Sequence, residues 1–372
     1  MTKVKIYAYL FISVLLAFFV VILANASSSV EYLSGKDIKK IPEKVAHLVT
    51  PEPLKGVYMT ACYASMPSLR KKLMALIEET ELNAVVIDIK DYTGTVSFKT
   101  GAECFVVDMK DFIKELHDQK IYVVGRMAVF QDPLYTKLHP ELAVKRKSDG
   151  DIWKDKKRLS FIDVGAKEYW DYIIMIAKEA EIIGFDEINF DYIRYPSDGD
   201  MNDIYFPHTG TTTKKEMLRQ FFEHLDDSLK NTRIKTSADL FGMVTVNNDD
   251  MGIGQVLENA LPYFDYIAPM VYPSHYPPYF NGWPDPNQVP YEIVKHSMTA
   301  AVKRVEDFAS TTQNKEIKKE QLRPWLQDND YPVYYSGAMV RAQIQATYDS
   351  GLTSWMLWDP SNTYTREALL TE

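Results

Sequence analysis

Apolar and polar positions follow two different periods along this chain. Short runs rich in Val, Ile and aromatic residues alternate with longer stretches in which Leu, Ile and Phe recur every three or four residues. The first pattern predicts strands, the second amphipathic helices. Strands are predicted at 56–60, 84–90, 121–126, within 185–196, and at 234–239, 266–272, 322–327 and 352–358. Helices are predicted at 68–80, 108–119, within 165–184, and at 214–230, 254–260, 291–310 and 336–350. Long loops are expected at 131–164, 198–213 and 273–290, with an inserted hairpin or loop at 91–103. Eight strands alternating with helices over this length predict a (β/α)8 TIM barrel with long βα loops. The competing doubly wound sheet lacks support, because no glycine-rich phosphate loop follows the first strand.

The fourth strand carries the strongest chemical signal. In Phe185-Asp186-Glu187-Ile188-Asn189-Phe190-Asp191 the side chains alternate between two faces. Ile188 and Phe190 share the face that suits covering helices. Glu187, Asn189 and Asp191 share the other, and polar groups are costly to bury unless they are paired. Arg194, Tyr195 and Pro196 then close the strand. Glu187, two residues deeper than Asp191, is expected in an interior polar network with Asn189 or Arg126.

The rim formed by the C-terminal strand ends is where a barrel of this kind does its chemistry. That rim would hold Asp88, with Lys90 and Asp91 beside it, and Arg126, Asp191, Arg194 and Asp239. It would also hold Tyr272, His275, Trp325, Gln327, Asp328, Trp358 and Asp359. Several carboxylates beside several aromatic rings suit glycoside hydrolysis. One acid protonates the leaving oxygen, another attacks the sugar or activates water, and the rings stack on the substrate. Asp191 and Asp239 are read as the catalytic pair. Asp88 would tune their titration or bind substrate, Arg126 and Arg194 would orient carboxylates, and Tyr272, Trp325 and Trp358 would line the sugar site. His275, Gln327 and Asp359 complete the substrate-binding set. No cofactor is required by this chemistry. Two other readings stay open: a non-catalytic glycan-binding barrel, and metal-dependent hydrolysis with a hard cation on Asp88, Asp191 and Asp239.

Composition narrows the class. The 372-residue chain has a formal net charge of −9, which argues against a nucleic-acid partner. The basic stretch from Lys145 to Arg158 reads as a solvated face, or as a contact for an anionic glycan. Residues 1–26 have the form of a signal peptide or membrane anchor: Lys3 and Lys5, an apolar run, then Ala24-Asn25-Ala26. This predicts export to the cell surface or medium. The run is long enough that cleavage and membrane tethering are both open. Residues 27–53 read as a linker and 54–372 as the barrel. Cys62 and Cys104 are read as unpaired, half-buried thiols, with a disulfide as the alternative.

The segments 185–196, 266–273 and 355–360 resemble a glycoside hydrolase barrel family of exported or membrane-tethered Gram-positive bacterial proteins. That family is assigned to carbohydrate chemistry by its relation to other glycosidase barrels. The resemblance covers residue 54 to the C-terminus and implies a TIM barrel acting on a cell-wall or extracellular polysaccharide. More remotely, the chain is similar to alpha-amylase-like barrels, which implies Asp191 as nucleophile and Asp239 as acid/base, although those barrels carry Glu at the second position. It is also similar to family-eighteen chitinase-like barrels. Met270-Val271-Tyr272 fits their sixth strand, and Asp186, Asn189 and Asp191 fall in register with their fourth. Ile193 stands where their catalytic Glu belongs, which argues against substrate-assisted chemistry.

Overall fold

The structure, a computed structural model, describes residues 46–371. The predicted targeting segment and most of the predicted linker lie outside the described residues. Among the described residues no helix is long and apolar enough to cross a membrane.

The strands are Lys55–Met59 (β1), Ala84–Lys90 (β2), Tyr122–Ala128 (β3), Lys145–Arg146 (β4), Glu187–Asp191 (β5), Ile204–Tyr205 (β6), Lys235–Phe241 (β7), Tyr266–Met270 (β8), Trp325–Gln327 (β9) and Trp355–Trp358 (β10). Eight of them close a barrel in the order β1-β10-β9-β8-β7-β5-β3-β2, with parallel neighbours throughout. The predicted fold class is therefore the observed one. β4 and β6 form a small antiparallel pair within the loop excursions. β9 is shorter than expected because Pro324 has no N–H to give to the ladder.

Two layers of apolar side chains hold the barrel. The outer one lies between strands and helices and includes Ile188 and Phe190 of β5, both fully buried. The inner one fills the barrel with Val86, Tyr122, Val124, Ala268, Trp325 and Met356. β2 is buried at every position, as expected of a parallel strand covered on both faces. The helix Lys167–Ile183 ends at Gly184, whose φ of 127° suits a residue without Cβ. The turn at Gly184 delivers the chain into Phe185 and β5.

Pairing register decides the polar interior. Val124 lies opposite Glu187 and Arg126 opposite Asn189, so Glu187 sits one layer below Arg126. Glu187 is accordingly not paired with Arg126 but is linked to Asn189 through Ser237, to whose Oγ Asn189 Nδ2 donates at 3.1 Å. It accepts from Ser237 Oγ at 2.6 Å and Tyr122 OH at 3.3 Å, and it is ion-paired with Arg323. Asp186 points to the opposite end of the barrel, where it accepts from the Leu48 and Val123 N–H groups and pairs with His117. The cysteines also depart from expectation. Cys62 and Cys104 form a disulfide with a Cα–Cα distance of 4.6 Å, because the loops after β1 and β2 leave the barrel side by side.

Candidate active site

Arg126 is the centre of the site. It stands near the C-terminal end of β3, and its guanidinium is shared among the acids of three neighbouring strands. Nη1 donates to Asp88 of β2 at 2.7 Å, Nη2 donates to Asp191 of β5, and Nε lies 3.9 Å from Asp239 Oδ2 of β7. Burial opposes charge on Arg126, but Asp88 and Asp191 outweigh it and hold the guanidinium well above its ordinary range. Burial also pushes Asp88 up, with Arg126 and Tyr58 pulling it back.

The two aspartates expected to act are held differently. Asp191 takes Arg126 on one oxygen and the N–H of Tyr192 on the other, at 2.6 Å. Tyr192 has φ 52°, an uncommon conformation for a bulky residue, and it closes this local hydrogen bond. Asp239 Oδ1 accepts from Asn189 Nδ2 and Trp325 Nε1, each at 2.8 Å. Asp239 is 1% exposed. Burial first, then the charge of Asp191, pushes its carboxyl well above the usual carboxylate range, against the pull of Arg126 and those two hydrogen bonds. Asn189 pairs with Ser237 and Phe190 with Ala238, so the next positions, Asp191 and Asp239, stand side by side. Both reach one guanidinium, which keeps their facing oxygens within the ~9.5 Å that bounds catalytic carboxylate pairs.

Aromatic rings enclose this group. Trp358 stacks on Tyr58 with ring centroids 4.1 Å apart, and Arg126 lies 5.0 Å from the Trp358 ring centroid. Tyr272 lies 6.3 Å from Trp358, and burial with the charges of Asp239 and Asp191 raises its phenol well above its ordinary range. Tyr272 is thus kept as a hydrogen-bond donor beside both acids. Trp358 is half-buried, so one ring of the group reaches solvent.

Other expected residues serve elsewhere. Arg194 donates to Tyr195 O and Ser197 Oγ, and its guanidinium lies over the rings of Tyr192 and Phe241. The carboxylate-orienting role expected of it at Asp191 falls to Arg126. Trp325, expected as a stacking platform, is closed inside the barrel as a donor to Asp239. Gln327 donates to Asn329 O and Tyr331 O and accepts from Ser274 N, bracing two loops. Asp359 accepts from Ser361 N at 2.6 Å and lies in a cleft beside Trp358. His275 is exposed, edge-on to Tyr272 at 5.1 Å. Lys90 turns away from Asp88 and pairs with Asp132 at 2.9 Å. In the basic loop, Arg146 is matched by Asp149 and Asp151.

Two residues absent from the sequence expectations join the site. Tyr58 donates to Asp88, and Tyr364 donates to the Tyr58 carbonyl. Strand parity could have found Tyr58, which alternates with Gly56 on the inward face of β1. Tyr364 follows the last strand and carries no periodic signal. Among the described residues no group of His, Cys, Asp and Glu is arranged to hold a metal ion.

Comparison with known proteins agrees with this architecture. The PgaB (BpsB) glycoside hydrolase domain from Bordetella bronchiseptica superposes with a TM-score of 0.57 at 15% identity, over 82% of this chain and 94% of that one. A GH18 chitinase from Pseudoalteromonas aurantia gives 0.50 at 11% identity, over 83% and 94%. A hypothetical protein from Ruminiclostridium thermocellum is 31% identical over 53% of this chain and 98% of that one, with a TM-score of 0.45. No curated protein matches the chain. Residues 56–364 match the family model described as "Putative glycosyl hydrolase domain", and the chain, with its closed eight-stranded barrel and its acids at the C-terminal rim, belongs to that family.

Proposed function

We propose that this protein is a glycoside hydrolase of a cell-wall or extracellular polysaccharide, with Asp191 and Asp239 as its catalytic carboxylates. The observation that carries this reading is their arrangement on adjacent strands around one arginine. Arg126 and the Tyr192 N–H stabilise an anion at Asp191, whereas burial and the neighbouring charge favour the protonated form of Asp239. A buried acid favoured in its protonated form, beside a carboxylate held by a cation, is what acid-assisted glycosidic cleavage needs. Asp239 gives its proton to the leaving oxygen, and Asp191 attacks the anomeric carbon or activates water. Tyr272 donates to the developing charge between them, and Trp358 offers the sugar a partly open ring. Asp88 shares Arg126 with Asp191 and so sets how much of the guanidinium's charge Asp191 receives.

The apolar N-terminal run with its Ala-Asn-Ala end supports export, by a cleaved signal or a retained anchor in residues 1–26, ahead of a linker at 27–53. The Cys62–Cys104 disulfide is in keeping with an oxidising compartment.

The test is hydrolysis of a panel of bacterial wall and exopolysaccharide fragments by the full-length protein beside Asp191→Asn. Cleavage should fall at least about a hundredfold in the variant, the scale for losing a catalytic group. A second reading, a non-catalytic glycan-binding barrel, draws support from one observation. Asp88 and Asp191 are both ion-paired with Arg126 and nearly closed to solvent, as in a purely structural cluster. Binding without cleavage, unchanged in Asp191→Asn, would select it.

A further inference from the structure

A cleft of about 640 Å³ opens beside the Arg126 cluster, where the chain leaves β9 and β10. Three aspartates line it, Asp328, Asp330 and Asp359, together with Tyr331, Tyr334 and Tyr364. Each aspartate commits one oxygen to the backbone: Asp328 Oδ2 to Thr365 N, Asp330 Oδ1 to Tyr335 N, and Asp359 Oδ1 to Ser361 N. Asp328 and Asp330 each keep the second oxygen free of such a bond, whereas Asp359 is also held by the Thr363 N–H. Asp328 is 3% exposed, and its Oδ1 is buried without a hydrogen-bond partner. An orphaned buried acceptor is costly and calls for a donor. No lysine, arginine or histidine lines the cleft, and none of the three acids is in an ion pair among the described residues. Burial, with added repulsion from Asp359 and Asp330, raises the Asp328 carboxyl to about 6 against the Thr365 hydrogen bonds. At the mouth, the rings of Tyr331 and Tyr334 are 62% and 69% exposed.

We propose that this cleft is a subsite for a cationic sugar: it binds the free ammonium of an amino-sugar unit in the saccharide whose bond is cut at Asp191 and Asp239. This rests on the hydrolase reading above and adds the substrate class. An ammonium carries three donors and no acceptor, which suits carboxylate oxygens left without donors. Exposed tyrosine rings are faces for a sugar and for a cation. A hard metal is a poorer occupant, since calcium takes 6–8 oxygen ligands and these acids are not arranged to hold a metal. Two residues of the cleft lining tie it to the reaction centre. Asp359 follows Trp358, whose ring faces Arg126, and Tyr364 donates to the carbonyl of Tyr58, which itself bonds Asp88.

The test is calorimetric titration of the full-length protein with a glucosamine tetramer and with its fully N-acetylated counterpart, in Asp191→Asn to suppress turnover. The glucosamine tetramer should bind about tenfold tighter, the scale of one charge-assisted contact. That preference should grow as pH rises through about 6 and the Asp328 carboxyl ionises. In Asp328→Asn the ratio of the two Kd values should fall about tenfold. Tyr334→Ala changes an exposed side chain and should also narrow the ratio, which keeps the test decisive if the aspartate variant does not fold. Equal affinity for the two tetramers, or a preference that neither variant changes, would overturn the proposal. So would CaCl2 displacing the glucosamine tetramer better than NaCl of equal ionic strength, which would assign the cleft to a divalent cation. A preference that holds while the unmodified protein cleaves neither tetramer supports the cleft and counts against hydrolysis. Cleavage of both tetramers with equal affinity supports hydrolysis and overturns the cleft.

Discussion

A single guanidinium reaching carboxylates on three strands is a charge problem as much as a catalytic one. Arg126 supplies one positive charge to Asp88, Asp191 and Asp239, and three ionised acids would leave the buried cluster with two uncompensated charges. Keeping a proton on one of them lowers that cost. Asp239 is the natural holder, being the most buried of the three and the farthest from Arg126. The direction fixes the sign of a pH effect. An acid whose pKa is raised by folding works as a proton donor below that pKa and is lost to the reaction as pH rises through it. The basic limb of kcat/KM should therefore lie well above the ~3.9 of a free aspartate. A pH–rate profile on any cleaved substrate checks this. A limb at or below about 4.5 would remove Asp239 from the role of general acid.

At the scale of the element, β5 shows how one strand serves two ends of the barrel. Its outward Ile188 and Phe190 bind it to the helix layer, each buried apolar side chain of this kind contributing roughly 1.5–3 kcal/mol. Inward, Asp191 faces Arg126 at the rim, Asn189 holds Asp239 one layer down, and Glu187 holds Arg323 beneath. The Glu187–Arg323 pair is closed to solvent on both sides, and two nitrogens of Arg323 already lack partners. Removing the carboxylate would leave a buried cation uncompensated. Glu187→Gln should cost about 3–5 kcal/mol, read from chemical unfolding at neutral pH. A loss under about 1 kcal/mol would mean that water or the Tyr266 ring, 4.2 Å from the guanidinium, already carries that charge.

For the whole molecule, closure of the barrel brings distant segments together. Cys62 and Cys104 are separated by 42 positions, and their loops meet on the rim. Cross-linking a loop of that length lowers the entropy of the unfolded chain. Cys104→Ser should cost about 2–4 kcal/mol, measurable as a lower unfolding midpoint for the variant than for the oxidised protein. Equal midpoints would show that packing around the loops holds them without the bond.

Fold class was legible in the chain itself, because strand and helix periods are local properties and eight alternations leave few ways to bury both faces of a parallel sheet. The placement of Asp88, Arg126, Asp191, Asp239, Tyr272 and Trp358 at one rim followed from strand parity and strand ends, which are also local. Which charge meets which could not be read that way. Arg194 lies three residues from Asp191 yet stacks on Tyr192 and Phe241, while Arg126, 65 positions away, takes the carboxylate. Lys90 lies two residues from Asp88 and pairs with Asp132 instead. Trp325 turned inward, the cysteines paired, and Tyr364 reached Tyr58 from the far end of the chain. Parity says which face a side chain takes; register between strands and the course of the loops set its partner, and those exist only once the barrel has closed.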